Sequence, residues 1–312
     1  MSLDKLLVKF SNEDNSPILF ILLVLFVFIF LTIIWSNLFE GFTRLKSPQF
    51  FTTTEQNIAN ISRELRNITP DITIVGSSLG KRIQNDYFDK LNVLNLSLDG
   101  GSQITGLEIL KNSKILPKII LIEINILDRT IDQEIITKAI SLSNTKSFIS
   151  VLNGSTKPLH YLFSKPFFAY SSTIQNVNLV KKRNAHLVNS GPIEYDNNKI
   201  IDDGISLLDQ RSDWDLAYKN HAKILELTRY FEEQGSKVFF LYLPFSDKFD
   251  KHLYSRRNRI IISGNNNFIC SRCIDARKII NINELRWGDG VHLDDRSALL
   301  IAESLQSLFL NH

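Results

Sequence analysis

The pattern of apolar and polar residues predicts one membrane-length helix near the amino terminus. Residues 18–35 read ILFILLVLFVFIFLTIIW and contain no charged side chain. A helix of this length spans roughly 27 Å at about 1.5 Å per residue, close to the thickness of a bilayer core. A signal peptide would have a shorter apolar core, and a buried helix of a soluble domain would rarely be apolar on every face. The run therefore predicts an uncleaved anchor at 18–35, preceded by a short tail, 1–17.

Beyond residue 50, short apolar runs alternate with segments of helical periodicity. This alternation predicts an open α/β sheet with parallel strands and right-handed crossovers. Functional residues are then expected at the carboxyl ends of the strands. Strands are predicted at 71–76, 92–97, 118–125 and 237–244, and helices at 52–66, 79–91, 103–113, 213–233 and 294–310.

The alternating pattern weakens between about 130 and 210, where aromatic and polar residues are mixed. We interpret this stretch as an insertion over or beside the sheet. With no long linker and no internal repeat elsewhere, residues 50–312 are predicted to form one α/β domain that carries this insertion.

The charged residues argue against nucleic-acid binding, and they do not decide on which side of the membrane the large domain lies. The 36 Lys and Arg against 33 Asp and Glu give a formal charge of +3, and the basic residues are scattered. A nucleic-acid partner is therefore not expected. Lys5 and Lys9 precede the predicted anchor while Arg44 and Lys46 follow it, so the positive-inside rule does not place the large domain.

Chemically useful side chains lie where the predicted strands end. Ser78 follows the first strand, Gly100 the second and Asn125 the third, while Asp289 and His292 precede the last helix. A serine nucleophile needs a base, and a histidine base needs a carboxylate that fixes its tautomer, so the last two residues could complete a triad with Ser78. The backbone N–H of Ser78, that of Gly100 and the amide of Asn125 are candidate oxyanion donors.

Each signal has an ordinary structural explanation. Gly-Ser-Ser at a strand end is most often a turn, and D-x-x-H before a helix is more often a cap with a solvated histidine. Their joint position at the edge where an α/β sheet collects its active site favours catalysis. A non-catalytic protein that uses the same fold as a scaffold or glycan-binding component of an envelope assembly stays open as the alternative.

These residues resemble, in chain order, the sequence blocks of the SGNH, or GDSL-type, hydrolases and acyltransferases. The resemblance covers about 71–126 and 237–310, and it implies a three-layer α/β/α sandwich with a central parallel sheet. The matching blocks are IVGSSLGKRI with Ser78, NLSLDGGS with Gly100 or Gly101, IEIN with Asn125, and DGVHLDDRSALLIAESL with Asp289 and His292.

Three positions depart from the family pattern: Ser77 stands where the family has Asp, Glu123 where it usually has Gly, and Ile126 where it usually has Asp. Such departures look like the membrane-anchored branch, which is similar to proteins of D-alanyl-lipoteichoic-acid biosynthesis and exopolysaccharide O-acylation. That likeness implies a single-pass protein of the cytoplasmic membrane with its large domain outside. It also implies an acylated glycan or cell-envelope polymer as substrate, and a multi-span membrane O-acyltransferase as partner.

Cys270 and Cys273 form a lone C-x-x-C pair. Two cysteines cannot build a disulfide framework, and a structural zinc site would need further ligands close by. The pair fits either a short-loop disulfide or two partly buried thiols, and we predict the oxidised pair. The histidines between 160 and 252 lack partners at metal-ligand spacing, so no metal and no cofactor are expected.

Overall fold

The structure is a computed structural model of the 312-residue chain. The chain divides into two compact units, residues 1–51 with 145–175, and residues 52–144 with 176–312. In the first unit the described residues are helical and expose their apolar side chains. The structure describes residues 20–28, 30–31, 52–65, 69–144, 184–191, 197–265 and 267–310.

The second unit alternates strands and helices, as the apolar pattern predicts. Its strands are β1 (Ile72–Val75), β2 (Val93–Asn95), β3 (Ile119–Glu123), β4 (Lys237–Tyr242) and β5 (Cys273–Asp275). Its α-helices are α1 (Thr53–Glu64), α2 (Ser78–Lys81), α3 (Gln103–Ser113), α4 (Gln133–Asn144), α5 (Asn197–Arg211), α6 (Trp214–Glu233), α7 (Asp247–Lys251), α8 (Leu253–Ser263), α9 (Ala276–Ile279) and α10 (Asp295–Leu310). Short 3₁₀ helices lie at Asn85–Tyr87 and Ile282–Glu284.

The five strands form one parallel sheet in the order β2-β1-β3-β4-β5. All four residues of β1 are buried, as are the last four of β3, because helices surround the sheet. Such burial explains why these strands read as nearly continuous apolar runs. The α/β prediction is confirmed. All carboxyl ends lie at one edge, and the chain order reverses between β1 and β3, which makes that point the expected place for a site.

The helix predicted over 79–91 is wrong beyond Lys81. Helix α2 ends at Lys81 and is followed by the 3₁₀ turn Asn85–Tyr87. The cause is Asn95 at the end of β2, whose side-chain amide donates to the carbonyls of Gly80 and Ile83 at 2.8 and 2.6 Å. These carbonyls are therefore bonded to a neighbouring strand, and the chain turns toward β2 instead of extending the helix.

The predicted amino-terminal segments lie mostly outside the described residues. The tail 1–17 is wholly outside them, and of the anchor 18–35 only 20–28 and 30–31 are described, as helix. Across the described ranges, no helix combines the length and apolar character required to cross a bilayer. The anchor stays a prediction.

The predicted insertion at about 130–210 is described in part. Residues 145–183 and 192–196 lie outside the described residues. The described remainder is mainly helical, in α4, in residues 184–188 and in α5. Helix α4 packs against α1 and α3, and is therefore part of the helical layer of the α/β unit.

Cys270 and Cys273 form a disulfide with a Cα–Cα distance of 5.1 Å, which confirms the predicted oxidised pair. The bond closes the turn that leads into β5, where the N–H of Cys273 also donates to the carbonyl of Cys270. A loop this short removes little entropy from the unfolded chain, so the bond fixes a local turn and contributes little to global stability.

Candidate active site

The structure brings Ser78, His292 and Asp289 into one hydrogen-bonded chain at the carboxyl edge of the sheet. Ser78 Oγ lies 2.8 Å from His292 Nε2, although the two residues are 214 positions apart. His292 Nδ1 lies 2.6 Å from Asp289 Oδ2. Because an ionised carboxylate only accepts hydrogen bonds, Nδ1 carries the proton and Nε2 is free to accept the Ser78 proton. This is the arrangement of a nucleophile, a base and a carboxylate that orients the base.

Asp289 remains ionised in this arrangement. Burial by itself raises the pKa of its carboxyl, but hydrogen bonds from the ring and N–H of His292, and from the N–H of Val291, outweigh that effect. The net result is a pKa of about 2. Asp289 is therefore a carboxylate at neutral pH and can stabilise a positive charge on the His292 ring.

The loop that carries Asp289 and His292 is held against the end of β4. Trp287 Nε1 donates to the carbonyl of Pro244 at 3.0 Å, and the N–H of Ser246 donates to the carbonyl of Gly290 at 2.9 Å. Within the loop, the N–H of Gly288 donates to the carbonyl of His292. These bonds place the histidine opposite the end of β1, which no local sequence pattern specifies.

Ser77 and Glu123 form a buried contact directly beside Ser78. Glu123 Oε2 accepts hydrogen bonds from the N–H and hydroxyl of Ser77 at 2.7 and 2.6 Å, and Oε1 accepts from the N–H of Asn125 at 2.5 Å. Both side chains are almost fully buried. Ser77 also caps α2 by accepting from the N–H of Leu79. The last residue of β3 thus fixes the turn from which Ser78 projects.

Gly76 is required by the close approach of Glu123. A Cβ at position 76 would lie 2.8 Å from Glu123 Cβ and 2.9 Å from Oε2, distances that real side chains do not tolerate. The glycine therefore lets the carboxylate reach the backbone of the following residue.

The contact between Ser77 and Glu123 links two of the departures from the family pattern. An Asp at position 77 would set a second carboxylate against the buried one of Glu123, which like-charge repulsion disfavours. The short hydroxyl of Ser77 instead donates to Glu123. The sequence analysis identifies both departures but does not predict that the two side chains pair. The available signal was Glu123, a charged residue in the otherwise apolar strand β3.

Gly100 lies in an exposed turn that follows β2 and has a positive φ of 69°. The ladder between β1 and β2 continues past the strands, because the N–H of Leu98 donates to the carbonyl of Gly76. Neither the N–H of Ser78 nor that of Gly100 donates a hydrogen bond to the part of the chain that the structure describes. The N–H of Gly101 donates to Leu98, so Gly100 is the better oxyanion candidate of the two glycines.

A polar cluster ties the Gly100 turn to α2 and α1. Lys81 Nζ lies 2.6 Å from Asp99 Oδ2 and donates to Asn57 Oδ1 at 2.9 Å. The amide of Asn57 in turn donates to the carbonyl of Asp99 at 3.1 Å. These three residues hold the Gly100 turn beside the Ser78 helix, and sequence analysis did not single them out.

The Asn125 side chain, predicted as an oxyanion donor, bonds to the backbone that follows β4. Its side chain is fully buried, and its amide joins β3 to the end of β4: Nδ2 donates to the carbonyl of Leu243 at 2.7 Å and Oδ1 accepts from the Leu243 N–H at 2.8 Å. These bonds satisfy backbone groups at the end of β4 that would otherwise be unpaired. Nδ2 has two N–H donors and the bond to Leu243 uses one, so the oxyanion role of Asn125 stays a prediction.

Burial raises the pKa of the Glu123 carboxyl, against the opposing hydrogen bonds from Ser77, Asn125 and Ile126. The stability that the protonated carboxyl contributes is therefore fully present below about pH 4.5, the ordinary pKa of a glutamate, and is lost as pH rises through the raised pKa. Glutamine does not titrate. We expect wild-type stability relative to the Glu123→Gln variant to fall with rising pH, by up to about 1.4 kcal/mol per pH unit.

Urea unfolding of both proteins, followed by tryptophan fluorescence at several pH values, measures this difference. Asp289 and His292 are present in both chains, so their titration cancels in the comparison. Parallel stability profiles across the whole pH range would contradict the assigned burial of the Glu123 carboxyl.

No protein-family model matches the chain, and no curated protein resembles it closely enough to count as a match. The function is therefore inferred from the geometry of Ser78, His292 and Asp289, together with the N–H groups of Ser78 and Gly100.

Proposed function

We propose that this protein is a serine esterase or O-acyltransferase that acts through Ser78, His292 and Asp289. The observation that carries the proposal is the continuous chain of hydrogen bonds from Ser78 Oγ through the His292 ring to the Asp289 carboxylate. Ordinary capping of a helix accounts for Asp289 or His292 alone. Capping does not account for the bond between the hydroxyl of Ser78, which is partly exposed after β1, and Nε2 of His292.

The reaction follows from the positions of these groups. His292 Nε2 takes the proton of Ser78 as the hydroxyl oxygen attacks an ester carbonyl, and the N–H groups of Ser78 and Gly100 donate to the developing oxyanion. Collapse of the intermediate leaves the acyl group on Ser78 and releases the alcohol, which takes the proton from His292. Water or a glycan hydroxyl then accepts the acyl group by the reverse steps, giving hydrolysis or transfer.

The five-stranded order with a reversal between β1 and β3 supports the finer assignment to an SGNH-like three-layer sandwich. Right-handed crossovers would put the connection from β1 to β2 on one face and those that follow on the other. The motif blocks around Ser78, Gly100 and His292 support the same assignment. By this resemblance the substrate is an acylated glycan or cell-envelope polymer, and the partner is a multi-span membrane O-acyltransferase.

The apolar run at 18–35 supports a single-pass anchor in the cytoplasmic membrane, with the large domain outside the cytoplasm. The Cys270–Cys273 disulfide favours this orientation, because disulfides persist in oxidising compartments.

We expect a protease added to spheroplasts to digest the large domain. Immunoblotting for a carboxy-terminal tag checks the result, with a cytoplasmic protein as the control for intact membranes. Full protection until the spheroplasts are lysed would reverse the proposed topology.

The function itself is tested with a serine-directed fluorophosphonate probe, which reacts with a serine only when a base activates it. We expect the purified full-length chain to be labelled on the peptide that contains Ser78. A folded chain that does not react would favour the alternative, a non-catalytic scaffold that uses the same fold.

A further inference from the structure

A cavity of about 680 Å³ lies at the same edge of the sheet as Ser78, beside β4 and β5. Helix α7 follows β4 and helix α9 follows β5, so the cavity opens at the carboxyl ends of these strands. Its volume is within the range of small-molecule sites. The charged side chains that line it are Asp250, Lys251, Arg256, Arg259, Arg277 and Lys278.

Two of the lining guanidinium groups are fixed in place by carboxylates. Asp250 accepts from Arg259 Nη1 at 2.9 Å and from Arg277 Nη1 at 2.6 Å, and Asp275 accepts from Arg277 through both carboxylate oxygens. Both guanidinium carbons lie within about 5 Å of the centroid of the Tyr242 ring, at 5.0 and 4.8 Å. Groups held this way lose little conformational entropy when they bind a ligand.

The other three cations stand at the rim. Lys251 and Lys278 are mostly exposed, and their carboxylate contacts are an exposed pair with Asp247 and a 3.9 Å approach to Asp275. Arg256 is exposed and has no ion-pair partner among the residues that the structure describes. The exposed pair of Lys251 with Asp247 exchanges readily with water and with other anions, and the 3.9 Å separation leaves Lys278 loosely held by the buried Asp275.

The charge around the cavity does not balance. Five cationic side chains line it, whereas three carboxylates contact them, those of Asp247, Asp250 and Asp275, which leaves a surplus of two positive charges. A concave surface with surplus positive charge and fixed guanidinium groups is suited to oxyanions such as phosphate and carboxylate.

We propose that this cavity binds an anionic segment of the polymer on which Ser78 acts, through at least two phosphate or carboxylate groups. The inference rests on the proposed function for its choice of ligand. Three strand spacings separate β1 from β5, roughly 14 Å at about 4.8 Å each, and both ends lie at one edge of the sheet. A polymer chain spans that distance whereas a simple ester does not, so the cavity would select polymeric anionic substrates.

Binding of two probes, inorganic pyrophosphate and citrate, to the full-length chain tests the proposal by isothermal titration calorimetry. We expect at least one probe to bind and the double variant Arg256→Ala with Lys278→Ala to weaken its binding by about tenfold or more. The preferred probe distinguishes a phosphate-bearing polymer from a carboxylate-bearing one. The matched control is Lys118→Ala with Lys237→Ala, which removes the same charge near the amino ends of β3 and β4 and should bind as the wild type does.

Equal weakening in the control pair, or no binding of either probe to the folded wild-type chain, would overturn the cavity assignment. Because the readout is binding, it is independent of turnover, and fluorophosphonate labelling is measured on the same samples. Labelling without anion binding refutes the cavity alone, and anion binding without labelling refutes the catalytic site alone.

Discussion

Replacing Ser78 by alanine should abolish both fluorophosphonate labelling and turnover of a small acyl ester. The hydroxyl that lies 2.8 Å from His292 Nε2 is the only group of this site assigned to form a bond with the acyl carbon. In a comparable triad, loss of the nucleophile costs a factor on the order of 10⁶ in rate, which corresponds to about 8 kcal/mol of transition-state stabilisation. Initial rates with p-nitrophenyl acetate, together with in-gel detection of the probe, measure the effect.

The control for Ser78→Ala is Ser307→Ala, which removes an exposed hydroxyl from α10 and should react as the wild type does. Because Ser78 is partly exposed and the change is small, both variants should keep their thermal midpoints close to that of the wild type. A folded Ser78→Ala chain that still accepts the probe at the wild-type rate would refute the mechanism and favour the scaffold alternative.

His292→Ala should reduce turnover nearly as much as Ser78→Ala, whereas Asp289→Asn should be milder. The histidine moves the proton of the nucleophile, so its loss also costs on the order of 10⁶. The carboxylate acts on the ring, by holding Nδ1 at 2.6 Å and stabilising the imidazolium, and its loss in such a triad costs about 10⁴. Single-turnover acylation with the same ester compares the two variants.

An exposed histidine outside the site provides the matched control, and His186→Ala should retain wild-type rates. The order of effects is as informative as their size. If Asp289→Asn were as damaging as His292→Ala, the carboxylate would do more than orient and stabilise the ring. If neither variant slowed acylation, the bonded chain of side chains would have no catalytic role.

The sequence alone determined most of the α/β architecture, because periodicity is a local property. The apolar run KVFFLYLP predicts β4, and the helical spacing after Asp213 predicts α6, whose N-cap that residue provides. The short strand β5 was missed because three residues give no recognisable periodicity, and the cysteine turn before it was considered only for its chemistry. Helix α2 was expected to be longer because its termination depends on Asn95, a residue of another strand.

The candidate triad was also accessible to the sequence, since each of its residues lies beside a recognisable strand or helix boundary. Only the tertiary structure decided which side chains pair. Glu123 bonds Ser77 across 46 positions, and Asn125 bonds Leu243 across 118. The first contact holds the turn before Ser78, and the second joins the end of β3 to the end of β4. The physical reason is that every buried polar group must find a partner, and that partner is set by which strands become neighbours.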